Sequence, residues 1–231
     1  MGESLVARAV KTALRSKFDP IYVYSDCPVI LKEASAAGAC AVERPEEVSA
    51  DDTTTEETLL RFLEDQDPKR TIEAIAIMQC TTPFICTADL NRAYDVFDGG
   101  HRTDSVVTAV DMSARYFGYP KYDGTSEFIP MRPYRALRQQ KSMKFWMENG
   151  GIYLAKRTVW ERGFRIGDKC KVAPMGLWQS VEIDEPEDLV MVEALAKAMR
   201  KETEELTAKI LAAGDTVTFV RETKHATTNK V

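Results

Sequence analysis

Histidine is scarce in this chain of 231 residues, where His101 and His225 are the only two. A nucleophilic Cys80 would need a base beside it, so that role finds little support. The five cysteines, Cys27, Cys40, Cys80, Cys86 and Cys170, are odd in number and form no Cys-x-x-Cys pair. That argues against a zinc cluster or a disulfide framework and favours reduced thiols in a cytoplasmic setting. No apolar run approaches the roughly 20 residues of a membrane span, and the N-terminus carries no signal-peptide pattern. A formal charge of −5, with no basic stripe, argues against a nucleic-acid partner. Repeats and low-complexity tracts are also lacking.

Composition is otherwise that of a globular protein, and the length suffices for one core with a small appendage. Apolar and polar stretches alternate along the chain. Leu5, Ala9, Val10, Ala13 and Leu14 share one face of a first helix. Ile21 to Tyr24 reads as a buried strand, followed by a helix that opens near Pro28 and stops at Gly38. A short strand at 39–42, a helix through Leu59, Leu60, Phe62 and Leu63, and a strand at 72–78 follow. Thr87 is placed to cap the next helix, with Leu90, Ala93, Tyr94 and Phe97 at core spacing. A strand spans 104–110, and two more are expected at 151–154 and 180–183. Pro186 opens a late helix.

Such alternation predicts an α/β fold whose mostly parallel sheet is covered on both faces. Between about 113 and 147 the pattern loosens into an insertion of hairpins, arms or loops. The main domain is expected over 1–202. A C-terminal extension over 203–231 would hold a helix, a short strand at 216–220 and a fraying polar end.

The chemistry concentrates in a few segments. Ile75-Ala76-Ile77-Met78 stops abruptly at Gln79-Cys80-Thr81-Thr82-Pro83-Phe84, a strand-to-helix turn of the kind that lines the ligand crevice of open α/β sheets. Arg44-Pro45-Glu46-Glu47 follows another strand, and its guanidinium suits a carboxylate or phosphate oxygen. Asp51 and Asp52, followed by Glu56 and Glu57, fit a helix cap as well as a ligand contact. Glu182 and Asp184 alternate along an expected strand, so both carboxylates share one face and can hold a magnesium ion. Asp184 and Glu185 also suit the start of the Pro186 helix, where acidic groups are favoured.

These segments, with Arg138-Gln139-Gln140 and Glu148-Asn149-Gly150-Gly151-Ile152-Tyr153, occur in an order that resembles the sugar-acid cytidylyltransferases, the CMP-N-acylneuraminate synthetases. The likeness covers roughly residues 5–201. It implies a Rossmann-like, three-layer nucleotidyltransferase fold with an inserted dimerisation region, and hence a homodimer. It also implies transfer of CMP from CTP to a nonulosonic, sialic-type sugar acid with release of pyrophosphate. By that resemblance Asp184 and Gln79 are catalytic and Asp184 and Glu182 hold Mg2+, with Glu182 standing where the family has Asp. Arg138, Gln139, Asn149 and Tyr153 would face the sugar acid, and Arg44, Asp51 and Thr55 the nucleotide. A glycosyltransferase would need its acidic pair after a middle strand, whereas these carboxylates come late.

One departure stands out. The family opens with a strand and a glycine- and base-rich loop that cradles the triphosphate, and Met1-Gly2-Glu3-Ser4-Leu5 aligns just beyond it. Without that strand, an unpaired gap is expected beside residues 21–24 or 72–78. An alternative is therefore an N-terminally truncated, catalytically silent homologue acting as a binding or assembly subunit.

Overall fold

The computed structural model describes residues 2–100, 102–111, 116–121, 125–130 and 146–212. Arg138, Gln139, most of the expected insertion, the expected strand at 216–220 and the polar end lie outside them. The chain divides into two compact units, Met1–Glu185 and Pro186–Val231. The described part of the second is one helix, α6 (Pro186–Ala212), which runs past the 202/203 boundary expected from the sequence.

The first unit opens with α1 (Leu5–Ala13), capped by Ser4, whose Oγ accepts from Ala7 N at 3.2 Å. β1 (Tyr22–Ser25) leads into α2 (Pro28–Ala37), which stops at Gly38 with φ +105°, a left-handed turn that glycine adopts without strain. β2 (Cys40–Glu43) then pairs with β1 in parallel. α3 (Thr55–Gln66), β3 (Ala74–Met78), α4 (Thr87–Asp98) and β4 (Ser105–Asp111) follow. Within the expected insertion, β5 (Tyr116–Pro120) and β6 (Ser126–Pro130) form an antiparallel hairpin. The long β7 (Trp146–Lys156), the short α5 (Arg157–Trp160) and β8 (Cys170–Pro174) complete the unit.

Four strands form one sheet in the order β3-β7-β4-β8. β3, β4 and β8 point the same way, and β7 runs antiparallel between β3 and β4. Strand alternation divides the core in two. On one face Val106, Ile152, Leu154 and Ala173 pack with Ala13, Leu90 and Ala93 of the helices. On the other, Val107, Tyr153 and Ala155 pack with Leu59, Phe62, Leu63, Val159 and Trp160. Helix, sheet and helix make the three layers, and each fully buried large side chain contributes about 1.5–3 kcal/mol.

Phe62 also packs edge-on against Tyr22 and Tyr24, at 5.0 and 5.3 Å, so α3 serves β1 as well as the larger sheet. Among the described residues β1 pairs only with β2, and β3 only with β7. β3 is accordingly half-buried along its whole length despite its apolar sequence. Far along α3, Asp67 accepts from Thr71 N and Oγ1, from Ile72 N and from Arg157, tying helix, strand and α5 together.

Three local expectations are corrected. α3 is capped not by Asp51 or Asp52 but by Thr54, whose Oγ1 accepts from Glu57 N while the Glu57 carboxylate accepts from Thr54 N. α4 begins at Thr87, but its cap is Cys86, with Asp89 reaching back to Cys86 N. Residues 181–184 are not a strand: they follow a single 3₁₀ turn, Trp178–Ser180, and the last strand of the sheet is β8.

Candidate active site

The Gln79 turn is fastened on three sides. Gln79 N donates to Gly151 O (3.0 Å), joining it to β7. Arg8 Nε donates to Pro83 O (2.7 Å), joining it to α1. Thr81 O accepts from Ile183 N (2.9 Å), which brings in the segment carrying Glu182 and Asp184. Gln79 itself is half-buried and borders a small cavity together with Arg8, Thr12 and Thr82.

β7 is irregular where it meets this turn. Its register with β4 shifts between Val107↔Tyr153 and Ala109↔Glu148, so Thr108 alone opposes the stretch 149–152. Thr108 Oγ1 repairs the ladder by accepting from Ile152 N (2.8 Å) and donating to Ile152 O (3.3 Å). Gly150 sits in the opened stretch with φ +62°, and a Cβ there would lie 1.5 Å from Glu182 Oε1. Only glycine lets the carboxylate lie against the backbone.

Glu182 is half-buried and Asp184 exposed. Burial, reinforced by the negative charges of Asp184 and Glu148, pushes the Glu182 carboxyl above its usual range. Glu182 therefore feels two further carboxylates, Asp184 and Glu148. Among the described residues no group of three His, Cys, Asp or Glu side chains closes around a metal position. The set suits a hard cation that keeps several waters and leans on a substrate's phosphates, because such an ion relieves the mutual repulsion.

Two residues expected to face the sugar acid are buried. Asn149 is 5% exposed and its amide is bonded inward: Nδ2 donates to Ser180 Oγ (2.8 Å) and Oδ1 accepts from Gly151 N (3.3 Å). It therefore pins the loop between β8 and the carboxylates. Tyr153 is 4% exposed and belongs to the α3-facing core, its ring capped by the Arg165 guanidinium 4.8 Å away. Arg165 is itself held by a fork to Glu56 (2.7 and 3.0 Å), a pairing that holds the Glu56 carboxyl below its usual range.

Arg44, Asp51 and Thr55 lie apart from this cluster. Arg44 follows β2 and pairs with Asp26, which follows β1; Asp51 is exposed in a turn; Thr55 is the first residue of α3. Among the described residues no hydrogen bond or ion pair ties them to the Gln79 turn. The structure thus brings together Gln79, Asn149, Glu182 and Asp184. It adds Thr108 and Ser180, which the sequence reading missed, and Glu148, which that reading held only as the start of a motif. For Thr108 the signal was a polar residue inside the apolar run 106–110.

No protein-family model matches the chain. Two curated zebrafish (Danio rerio) proteins do. N-acylneuraminate cytidylyltransferase A is 28% identical over 186 residues, covering 79% of this chain and 42% of the relative. N-acylneuraminate cytidylyltransferase B is 25% identical over 187 residues, covering 79% and 43%. The chain therefore spans about two fifths of the length of these relatives. Among solved structures, a CMP:2-keto-3-deoxy-manno-octonic acid synthetase complexed with CTP superposes with a TM-score of 0.60 at 13% identity, over 86% of this chain and 90% of that one. The chain is thus similar in sequence to two N-acylneuraminate cytidylyltransferases and in fold to a CMP:2-keto-3-deoxy-manno-octonic acid synthetase.

Proposed function

We propose that the chain transfers CMP from CTP to a nonulosonic sugar acid and releases pyrophosphate. The observation that carries this reading is the convergence of three distant segments. The Gln79 turn, the glycine-opened stretch of β7 and the Glu182–Asp184 segment are joined by the Gln79–Gly151 and Ile183–Thr81 backbone bonds. Relatives named for this activity match across most of the chain.

In the proposed reaction the anomeric hydroxyl oxygen of the acid forms a bond to the α-phosphorus as the bond from that phosphorus to the bridging oxygen breaks, pyrophosphate leaves and the hydroxyl proton passes to water. Asp184 and Glu182 would hold magnesium, which when bound neutralises charge on the phosphates. Gln79, at the strand end, orients hydroxyl or carbonyl groups of the substrates. Gly150 lets Glu182 lie flat against β7, and Asn149 fixes the segment that carries both carboxylates. Arg44, Asp51 and Thr55 serve the nucleotide, and Arg138 and Gln139 the acid's carboxylate, which a guanidinium fork suits. The insertion, including the β5–β6 hairpin, serves as an arm for a second copy in a homodimer. The enzyme would work in the reducing cytoplasm.

The test is pyrophosphate release from CTP and magnesium with a panel of nonulosonic acids. Release that requires both CTP and one of the acids supports the reading. Folded protein that releases none with any acid overturns it.

A further inference from the structure

The loop between β8 and the carboxylates of Glu182 and Asp184 carries a feature that the proposed reaction leaves unused. Leu177 and Trp178 are 61% and 62% exposed, although the loop around them is firmly anchored. Residues 178–180 form one 3₁₀ turn, in which successive side chains point about 120° apart. Ser180 points to β7, accepting from Asn149 Nδ2 and donating to Gly176 O, both at 2.8 Å. Gln179 folds back over Gly176, where a Cβ would lie 2.2 Å from its Oε1. The third direction is left to Trp178. Just beyond the turn, Ile183 N is bonded to Thr81 O, and Glu182 lies on Gly150. A large aromatic ring is thus held in water on a fixed turn, four residues before Glu182.

We propose that Trp178, extended by Leu177, is a specificity wall on which the C–H face of the acidic sugar stacks. The assignment rests on the proposed cytidylyltransferase reading. It supplies what the polar groups of the site do not: an apolar surface that orders a hydroxyl-rich ligand by shape. An acid whose face carries deoxy carbons or an acyl group gains most from it. The indole is anchored through the backbone, so the contact costs little ordering on binding.

The test is a fluorescence titration of the full-length protein with N-acetylneuraminate, and separately with CTP. Emission that changes with the acid in the wild type but not in Trp178→Phe supports the proposal, because Trp160 is buried and Trp146 remains as an internal control. No change in the wild type, the same change in Trp178→Phe, or a change with CTP alone overturns it. In turnover, Trp178→Ala should raise KM for the acid roughly three- to tenfold with KM for CTP unchanged. Trp178→Phe should recover part of that loss. Equal KM for the acid in wild type and Trp178→Ala also overturns the assignment. A tryptophan response to the acid without pyrophosphate release would defeat the proposed reaction and leave the wall in place.

Discussion

Polar groups along β7 are bonded inward, whereas those at the ends of β1 and β2 face water. Asn149, Thr108 and Ser180 satisfy one another and the backbone around Gly150 and Gly151, all beneath the surface or at its edge. Arg44 and Asp26, by contrast, form a half-exposed ion pair between two strands that have no other ladder partner among the described residues. The first arrangement holds a geometry; the second holds charge that can be exchanged for a ligand's. Chemistry that depends on position belongs on the first, and recognition of a charged group is well served by the second.

Substitutions should separate the two regions. The largest effect is expected from Asp184→Asn, which should lower kcat by about 10²- to 10³-fold while leaving the thermal midpoint nearly unchanged. Steady-state pyrophosphate release and a melting curve together check this.

Asp67→Asn is expected to do the reverse. It breaks the buried pair with Arg157, two residues 5% and 10% exposed at their side chains, and should lower Tm on the order of 10 °C. Burial disfavours the Asp67 carboxylate, but bonds from Ile72, Thr71 and Arg157 outweigh it and hold its pKa well below the usual range. A depressed carboxyl stabilises the fold above the unfolded-state value of about 3.9, and that contribution fades as pH falls further. Acid unfolding of Asp67→Asn should therefore lack this loss below about pH 4, and equilibrium unfolding across pH 2–6 measures it.

Gly150→Ala should cost about 1 kcal/mol for the left-handed backbone and displace Glu182, so activity should fall far more than stability. Paired melting and kinetic measurements read both. Thr108→Val removes two hydrogen bonds from the break in the β7 ladder and should cost about 1–2 kcal/mol by urea unfolding. Arg44→Ala is the mildest for stability: Tm should move by roughly 2 °C or less, with any kinetic effect confined to KM for CTP. A large Tm loss there would collapse the distinction between the two regions.

The sequence made much of this scaffold legible. The period of β3, α4 and β4 placed those elements within about two residues, because each is long enough to bury one clear face or both. β8 was missed: Cys170-Lys171-Val172-Ala173-Pro174 is short, half polar and closed by proline, and it becomes a strand only by pairing with β4. β7 was placed at its apolar centre but runs back to Trp146, where Met147, Glu148 and two glycines hide a strand that exists because Val110 and Asp111 pair with it. The carboxylates at 182 and 184 suggested strand alternation, yet they lie on an irregular segment in which Ile183 N is bonded to Thr81 O. Motif order pointed to Gln79 and Asp184, whose segments the Ile183–Thr81 backbone bond joins. It could not foresee that Asn149 and Tyr153 would be buried, because burial follows from neighbours far along the chain.

The most direct test follows the phosphorus nuclei of CTP by NMR in the presence of magnesium and a nonulosonic acid, with wild type beside Asp184→Asn. The account predicts a CMP–sugar phosphodiester and pyrophosphate appearing together in the wild type and almost none in the variant. CTP left intact by the wild type, or consumed equally by both, would contradict it.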